Sequence, residues 1–262
     1  MNYNEVLDQI IWSFSTLHQY EECPYAFYNR KIDRSEVDEG NYYADIGGFI
    51  HEIHEKIFNG ALNVNDAVDY FMDNYDNNVV YETKQSTQEK KYNQIIDYFA
   101  TMDLDRMKNF EILGVEKQTN FEINGHKFVG FIDLALRNKV TDDILIVDHK
   151  SAGHFLKQDG APLKSQVKNL ETYSKQMYLY SKPIYEEYGK YPSKLIWNHF
   201  FEQKITEIPF DMKQYVKTMR WAENTIKKIY QDTKFQAKTD YMMCKIICGF
   251  RNSCCYANEE EA

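Results

Sequence analysis

Prolines are scarce in this 262-residue chain, five in all, and glycines number only eleven. Those counts exclude a collagen-like or low-complexity architecture, while 43% hydrophobic and 27% charged residues make the composition of a globular protein. Long apolar runs are missing as well. Stretches such as 144–147 are far too short to cross a bilayer. The opening MNYNEVLDQIIW holds acids and no base, so it does not read as a signal peptide, and a cytoplasmic setting is expected. Bases are in deficit: 31 Lys and Arg against 40 Asp and Glu leave a net charge of −9. Such a chain does not attract polyanions through its overall field, so contact with a phosphate backbone needs a local basic patch or a metal ion. Neither GKS nor GKT occurs, which removes a P-loop motor and with it a nucleotide cofactor. There is no internal repeat.

Cysteine is the informative minority. Five is an odd number, and without a secretion signal it argues against a disulfide framework. Cys23 stands alone near the start, whereas Cys244, Cys248, Cys254 and Cys255 fall within twelve positions at the end. Buried apolar cysteines would be scattered. This clustering points to a metal or iron–sulfur site.

Hydrophobic spacing divides the chain. Ser13 and Ser15 are candidate N-caps of a helix over 13–31 that Pro24 breaks or restarts. Helices are expected over 44–58, with Phe49, Ile50, Ile53 and Ile57 on one stripe, and over 64–76 and 86–110. The period then changes to that of strands, over 112–123, 127–136 and 143–149, with turn signals at Asn124-Gly125 and Asp142-Asp143. A polar loop with Gly153, Gly160 and Pro162 leads to a helix over 165–189. A strand pair over 194–201 and 204–210 follows, then a helix over 211–232 and the cysteine-rich tail. The order implies one α/β domain, 1–262. A mostly helical part (1–110) covers a central mixed sheet (111–210), and a C-terminal helix and cysteine segment (211–262) follow.

Chemistry concentrates in Gly130-Phe-Ile-Asp133 and Ile144-Leu-Ile-Val-Asp148-His-Lys150. Alternation along a strand sets Asp148 and Lys150 on one face. If Asp133 lies across from Asp148, two carboxylates at about 4 Å repel by roughly 4 kcal/mol at an effective dielectric near 20. A shared proton or a divalent cation relieves that repulsion, and oxygen ligands suit Mg²⁺ or Mn²⁺. An adjacent lysine suits orienting water and offsetting charge on a phosphorane-like transition state. His51-Glu-Ile-His54 is no zincin motif, because that site needs histidines at i and i+4 and residue 55 is Glu.

In order along the chain, these residues resemble the PD-(D/E)xK nuclease superfamily, and within it RecB-type nucleases with an iron–sulfur staple, the AddB-like and CRISPR-associated exonucleases among them. The stretch from Trp12 through Ser15, Tyr20, Cys23-Pro24 and Phe27 is similar to the family's opening. Gly47-Gly-Phe-Ile-His51-Glu resembles its G-x-x-x-H-E helix, and Glu116 the acid on the preceding strand. Asp133 with Asp148-His149-Lys150 resembles the core motif, Asp standing for the commoner Glu, and Gln176-Met-Tyr-Leu-Tyr180 the Q-x-x-x-Y helix.

The resemblance implies a restriction-endonuclease-like α/β fold: a mixed sheet flanked by helices, a helical N-terminal half and a C-terminal cysteine-rich cluster loop. It implies a Mg²⁺- or Mn²⁺-dependent DNA nuclease, an exonuclease rather than an endonuclease, acting on single-stranded or duplex ends. His51, Asp133, Asp148 and the His149 carbonyl would hold the metal. Lys150 would be catalytic, with Gln176, Tyr180 and Glu116 in the cleft. Cys23, Cys244, Cys248 and Cys254 would bind a 4Fe-4S cluster, with zinc as the competing occupant and Cys255 as an alternative last ligand. The C-x3-C-x5-C spacing here is one residue longer in its first gap than the family's. Tying ends about 220 residues apart would remove much chain entropy. A helicase, recombinase or integrase would be a fitting partner. The contrasting expectation is a catalytically silent DNA-binding or scaffold subunit.

Overall fold

The computed structural model describes residues 3–151 and 155–258. Gly153, read as part of a polar loop, lies outside the described residues. The helices are α1 (Asn4–Leu7), α2 (Phe14–Glu22), α3 (Pro24–Tyr28), α4 (Tyr42–Phe58), α5 (Ala67–Asn78), α6 (Gln85–Ala100), α7 (Val167–Tyr188) and α8 (Met212–Gln231). The strands are β1 (Phe110–Ile123), β2 (His126–Asn138), β3 (Ile144–Lys150), β4 (Lys194–His199) and β5 (Lys204–Pro209). They form one mixed five-stranded sheet in the order β1-β2-β3-β4-β5, flanked by helices, as the restriction-endonuclease-like fold requires. The chain divides into two compact units. One holds residues 1–41, 120–130 and 213–262, the other 42–119 and 131–212.

In the second unit, β3 pairs antiparallel with β2 and parallel with β4. A parallel neighbour demands a long crossover, and α7 supplies it. Ile144 to His149 are all buried, which is why β3 reads as an unbroken apolar run rather than an alternation. On α4, Ile46, Phe49, Ile50, Ile53 and Ile57 recur every three or four residues and are buried in a core with Phe71, Ile95, Phe99 and Phe200. One expectation fails here. The helix foreseen over 86–110 ends at Ala100. Thr101 Oγ1 donates to the Asp97 carbonyl at 2.7 Å, and Asp103 Oδ1 accepts from Asp105 N at 2.8 Å, so side chains take over backbone pairing and turn the chain into β1.

In the first unit, Ser13 caps α2 by accepting from Thr16 N at 3.1 Å, whereas Ser15 lies inside the helix. Pro24 occupies the first turn of α3, where its missing N–H costs nothing. Trp12 joins Phe128 in a parallel bridge, donating its N–H to Lys127 O and accepting from Val129 N, each at 2.8 Å. The Asn124-Gly125 turn between β1 and β2 has φ of 48° and 81°, the left-handed pair that a two-residue hairpin needs. Among the described residues, no helix is long and apolar enough to cross a membrane.

Candidate active site

The β2–β3 ladder pairs Leu134 with Val147, and Asp133 and Asp148 stand one residue beyond that pair. Asp133 is 8% exposed and Asp148 4%. Asp133 Oδ2 accepts the backbone N–H of His149 at 2.7 Å, so the side chain occupies the place of a ladder acceptor. Burial pushes the Asp133 carboxyl pKa upward and the Asp148 charge adds to the push, against the opposing pull of His51 and the His149 N–H.

His51 arrives from α4. Its Nδ1 lies 3.0 Å from Glu116 Oε1 and 3.6 Å from Asp133 Oδ2, and its Nε2 lies 3.2 Å from the His149 carbonyl. Burial alone would lower its pKa. The hydrogen bond to Glu116 and the charges of Asp133, Glu116 and Asp148 outweigh that and raise it. Ligand atoms of His51, Glu116 and Asp133 all fall within 4.8 Å of one another, a spacing that can hold a metal ion. The donor set fits a hard divalent cation: two carboxylates and an imidazole, with a backbone carbonyl alongside.

Glu116 reaches this cluster through an unusual backbone. Its φ is +43° in the middle of β1, a left-handed residue that interrupts the strand's alternation. Gly114 makes room for the fold-back, because a Cβ there would meet the Lys117 side chain at 2.7 Å.

Asp148 turns to the lysine instead. Lys150 Nζ is 2.6 Å from Asp148 Oδ2 and donates to Gln176 Oε1 at 3.1 Å. Gln176 in turn donates to Tyr180, whose pKa burial still pushes up to about 12. Gln176 and Tyr180 share one face of α7, as their spacing requires. Tyr173, one turn earlier, was not foreseen. Its ring lies 4.3 Å from Lys150 Nζ and forms the ammonium's aromatic wall. In sequence it shows only as an aromatic at i−3 from Gln176 on a tyrosine-rich helix.

Beneath His149 lies a second unforeseen group. The His149 and His54 rings stack 4.0 Å apart, 4° from parallel. Asn198 Nδ2 donates to Tyr98 Oη and His149 Nδ1, and Tyr98 Oη donates to His54 Nε2 at 2.8 Å. Burial holds His54 down to about 3, so the network is neutral and fixes the peptide whose carbonyl faces His51.

In the first unit, Cys23, Cys244, Cys248 and Cys254 line one cavity of about 340 Å³, while Cys255 is exposed and lies outside its lining. Burial raises the Cys248 thiol, and the nearby Cys23 and Cys244 raise it further. Asp240 N donates to Cys244 Sγ at 3.4 Å. Half-buried thiols converging on one cavity, with a backbone N–H directed at sulfur, fit a thiolate-bound metal group.

No curated protein matches the sequence. A crystal structure from Eubacterium rectale, named "Putative exonuclease", is 15% identical, with a TM-score of 0.54 over 96% of this chain and 89% of its own. At that identity the likeness concerns the fold. Another solved structure, SSO0001, is 20% identical over 65% of this chain and 79% of its own, with a TM-score of 0.34, too low to carry an argument. The family model of the PD-(D/E)XK nucleases matches residues 11–255, a span that includes every site residue named above, and the chain belongs to the PD-(D/E)XK nuclease superfamily.

Proposed function

We propose that this nuclease is a Mg²⁺- or Mn²⁺-dependent exonuclease that hydrolyses DNA phosphodiester bonds at single-stranded or duplex ends. One observation carries the reading: His51, Glu116 and Asp133 converge within 4.8 Å beside the Asp148–Lys150 ion pair. His51, Asp133 and the His149 carbonyl would hold the cation, Asp148 would join through the carboxylate oxygen not paired with Lys150, and Glu116 joins them through its contact with His51. A bound cation supplies Lewis acidity at the phosphoryl oxygen and lowers the pKa of water. The chain's own residues do the rest. The Lys150 ammonium, set by Asp148, Gln176 and the Tyr173 ring, offsets charge accumulating on the phosphorane-like transition state. Tyr180 holds Gln176 in place. Water adds at phosphorus, the bridging P–O bond breaks, and the departing oxygen takes up a proton.

In the same reading, Cys23, Cys244, Cys248 and Cys254 ligate a 4Fe-4S cluster with a structural role. Zinc in the same four-thiolate site is the competing occupant. An exonuclease used in recombination, repair, phage or CRISPR-related processing would work beside a helicase, recombinase or integrase. The test is end-labelled linear DNA against closed circular DNA with Mn²⁺. Degradation of the linear form alone supports an exonuclease, cutting of circles identifies an endonuclease, and binding without cleavage of either identifies a silent scaffold.

A further inference from the structure

The chain carries −9 overall, yet α8 holds five bases, Lys213, Lys217, Arg220, Lys227 and Lys228, against one acid, Glu223. The bases are not spread around the helix. At 100° per residue, Lys213, Lys217, Arg220 and Lys228 fall within about 80° of arc, with Asn224 between them and Trp221 at the edge. Together they line one shallow hollow on the helix surface, from which Glu223 is absent. The opposite stripe, Thr218, Ala222, Thr225, Ile226 and Ile229, is buried. The fold therefore turns all four cations outward.

We propose that this face of α8 binds a single strand of DNA, its phosphates along the basic stripe and a base against Trp221. The proposal rests on the nuclease reading and names where an acidic enzyme grips its substrate. Lys213 to Lys228 spans about 22 Å at 1.5 Å per residue, the length of roughly six nucleotides at 3.4 Å each. Trp221 is half-buried, its ring tilted on Phe14 at 6.1 Å and its Nε1 donating to Glu21 Oε1 at 2.6 Å. A fixed, partly exposed indole beside cations is a stacking platform, and stacking requires an unpaired base. Unpaired bases favour the single strand over a duplex.

Trp12 and Trp197 are 1% and 0% exposed, so Trp221 alone of the three tryptophans can report a ligand directly. The experiment titrates the full chain with a twelve-residue oligothymidylate in EDTA, reading tryptophan fluorescence and the anisotropy of a labelled strand. Wild type is expected to bind with quenching, and more tightly than it binds a duplex of equal length. The variant Lys217→Gln/Arg220→Gln/Lys228→Gln should bind more than tenfold more weakly. Its slope of log affinity against log salt should fall by about 2, since each lost phosphate contact contributes ~0.7 on a single strand. Its melting temperature should match wild type, the three side chains being exposed. Neutralising Lys84 and Lys90, exposed bases at the start of and within α6, should leave binding unchanged. Absence of wild-type binding, an unchanged salt slope in the triple variant, binding without quenching, or equal affinity for phosphatidylglycerol vesicles would each overturn the proposal. Because EDTA separates binding from cleavage, a chain that grips DNA and never cuts it sinks the nuclease reading alone. Wild-type cleavage and binding by the triple variant sink this one alone.

Discussion

Lys150 Nζ lies 2.6 Å from Asp148 Oδ2, both side chains largely buried at the end of β3. The pair keeps an ammonium beside the carboxylate cluster without leaving either charge alone in a region of low dielectric. Lys150→Ala should lower the rate of DNA cleavage by about 10²–10⁴-fold. Gln176→Ala, which frees the lysine without removing it, should lower kcat by roughly tenfold and leave KM near wild type. Single-turnover cleavage of a labelled strand measures both.

Removal of the cation should abolish cleavage, and excess Mn²⁺ should restore it. Glu116→Gln keeps a hydrogen-bonding group next to His51 and loses a negative charge, so Mn²⁺ affinity by calorimetry should fall more than about tenfold. An unchanged affinity would remove Glu116 from the cation's surroundings.

The sequence of the core is easy to read where packing and chemistry coincide. Ile144 to Val147 announces a buried strand, and Asp148 and Lys150 follow at the spacing of one face. Gln176 and Tyr180 are four apart on a helix and do meet each other, and Gln176 meets the lysine. Glu116 is different. Its φ of +43° departs from the strand period, so no alternation rule puts its carboxylate beside His51, and resemblance alone singled it out. Tyr173, Tyr98, His54 and Asn198 are invisible for another reason. They converge from α7, α6, α4 and β4, and single-element periodicity contains no long-range pairing. The end of α6 was missed because Asp103 and Thr101 divert the backbone through side-chain bonds that a hydrophobic pattern does not register.

Lys91 gives a pH signature independent of catalysis. Its Nζ lies 3.6 Å from the centre of the Phe201 ring, and burial, with help from Lys90, lowers its pKa to about 8 from 10.5. The unfolded chain therefore holds this proton more tightly between pH 8 and 10.5, and stability rises with pH across that window. Below pH 8 the buried charge is a cost in the folded state. Lys91→Met should be more stable than wild type at pH 7 by about 1 kcal/mol, water's access to the amine limiting the gain. Thermal melts across pH 7 to 10.5 should show the gap close.

The two adjacent cysteines should behave differently. Cys254 lines the thiol cavity and Cys255 does not. Cys254→Ser should lose iron, the brown colour and several degrees of melting temperature, while Cys255→Ser keeps all three. Iron analysis and the visible spectrum of anaerobically purified protein decide it. Zinc with no colour would replace the cluster by a single ion.

The most direct measurement of the central claim is cleavage of end-labelled linear DNA by purified wild type with Mn²⁺, beside Asp133→Ala and Lys150→Ala under the same conditions. Shortening by wild type, absent from both variants while both remain folded, is the predicted result. Cleavage that survives in either variant, or that wild type never performs, would contradict the assignment of this carboxylate–lysine cluster as a nuclease centre.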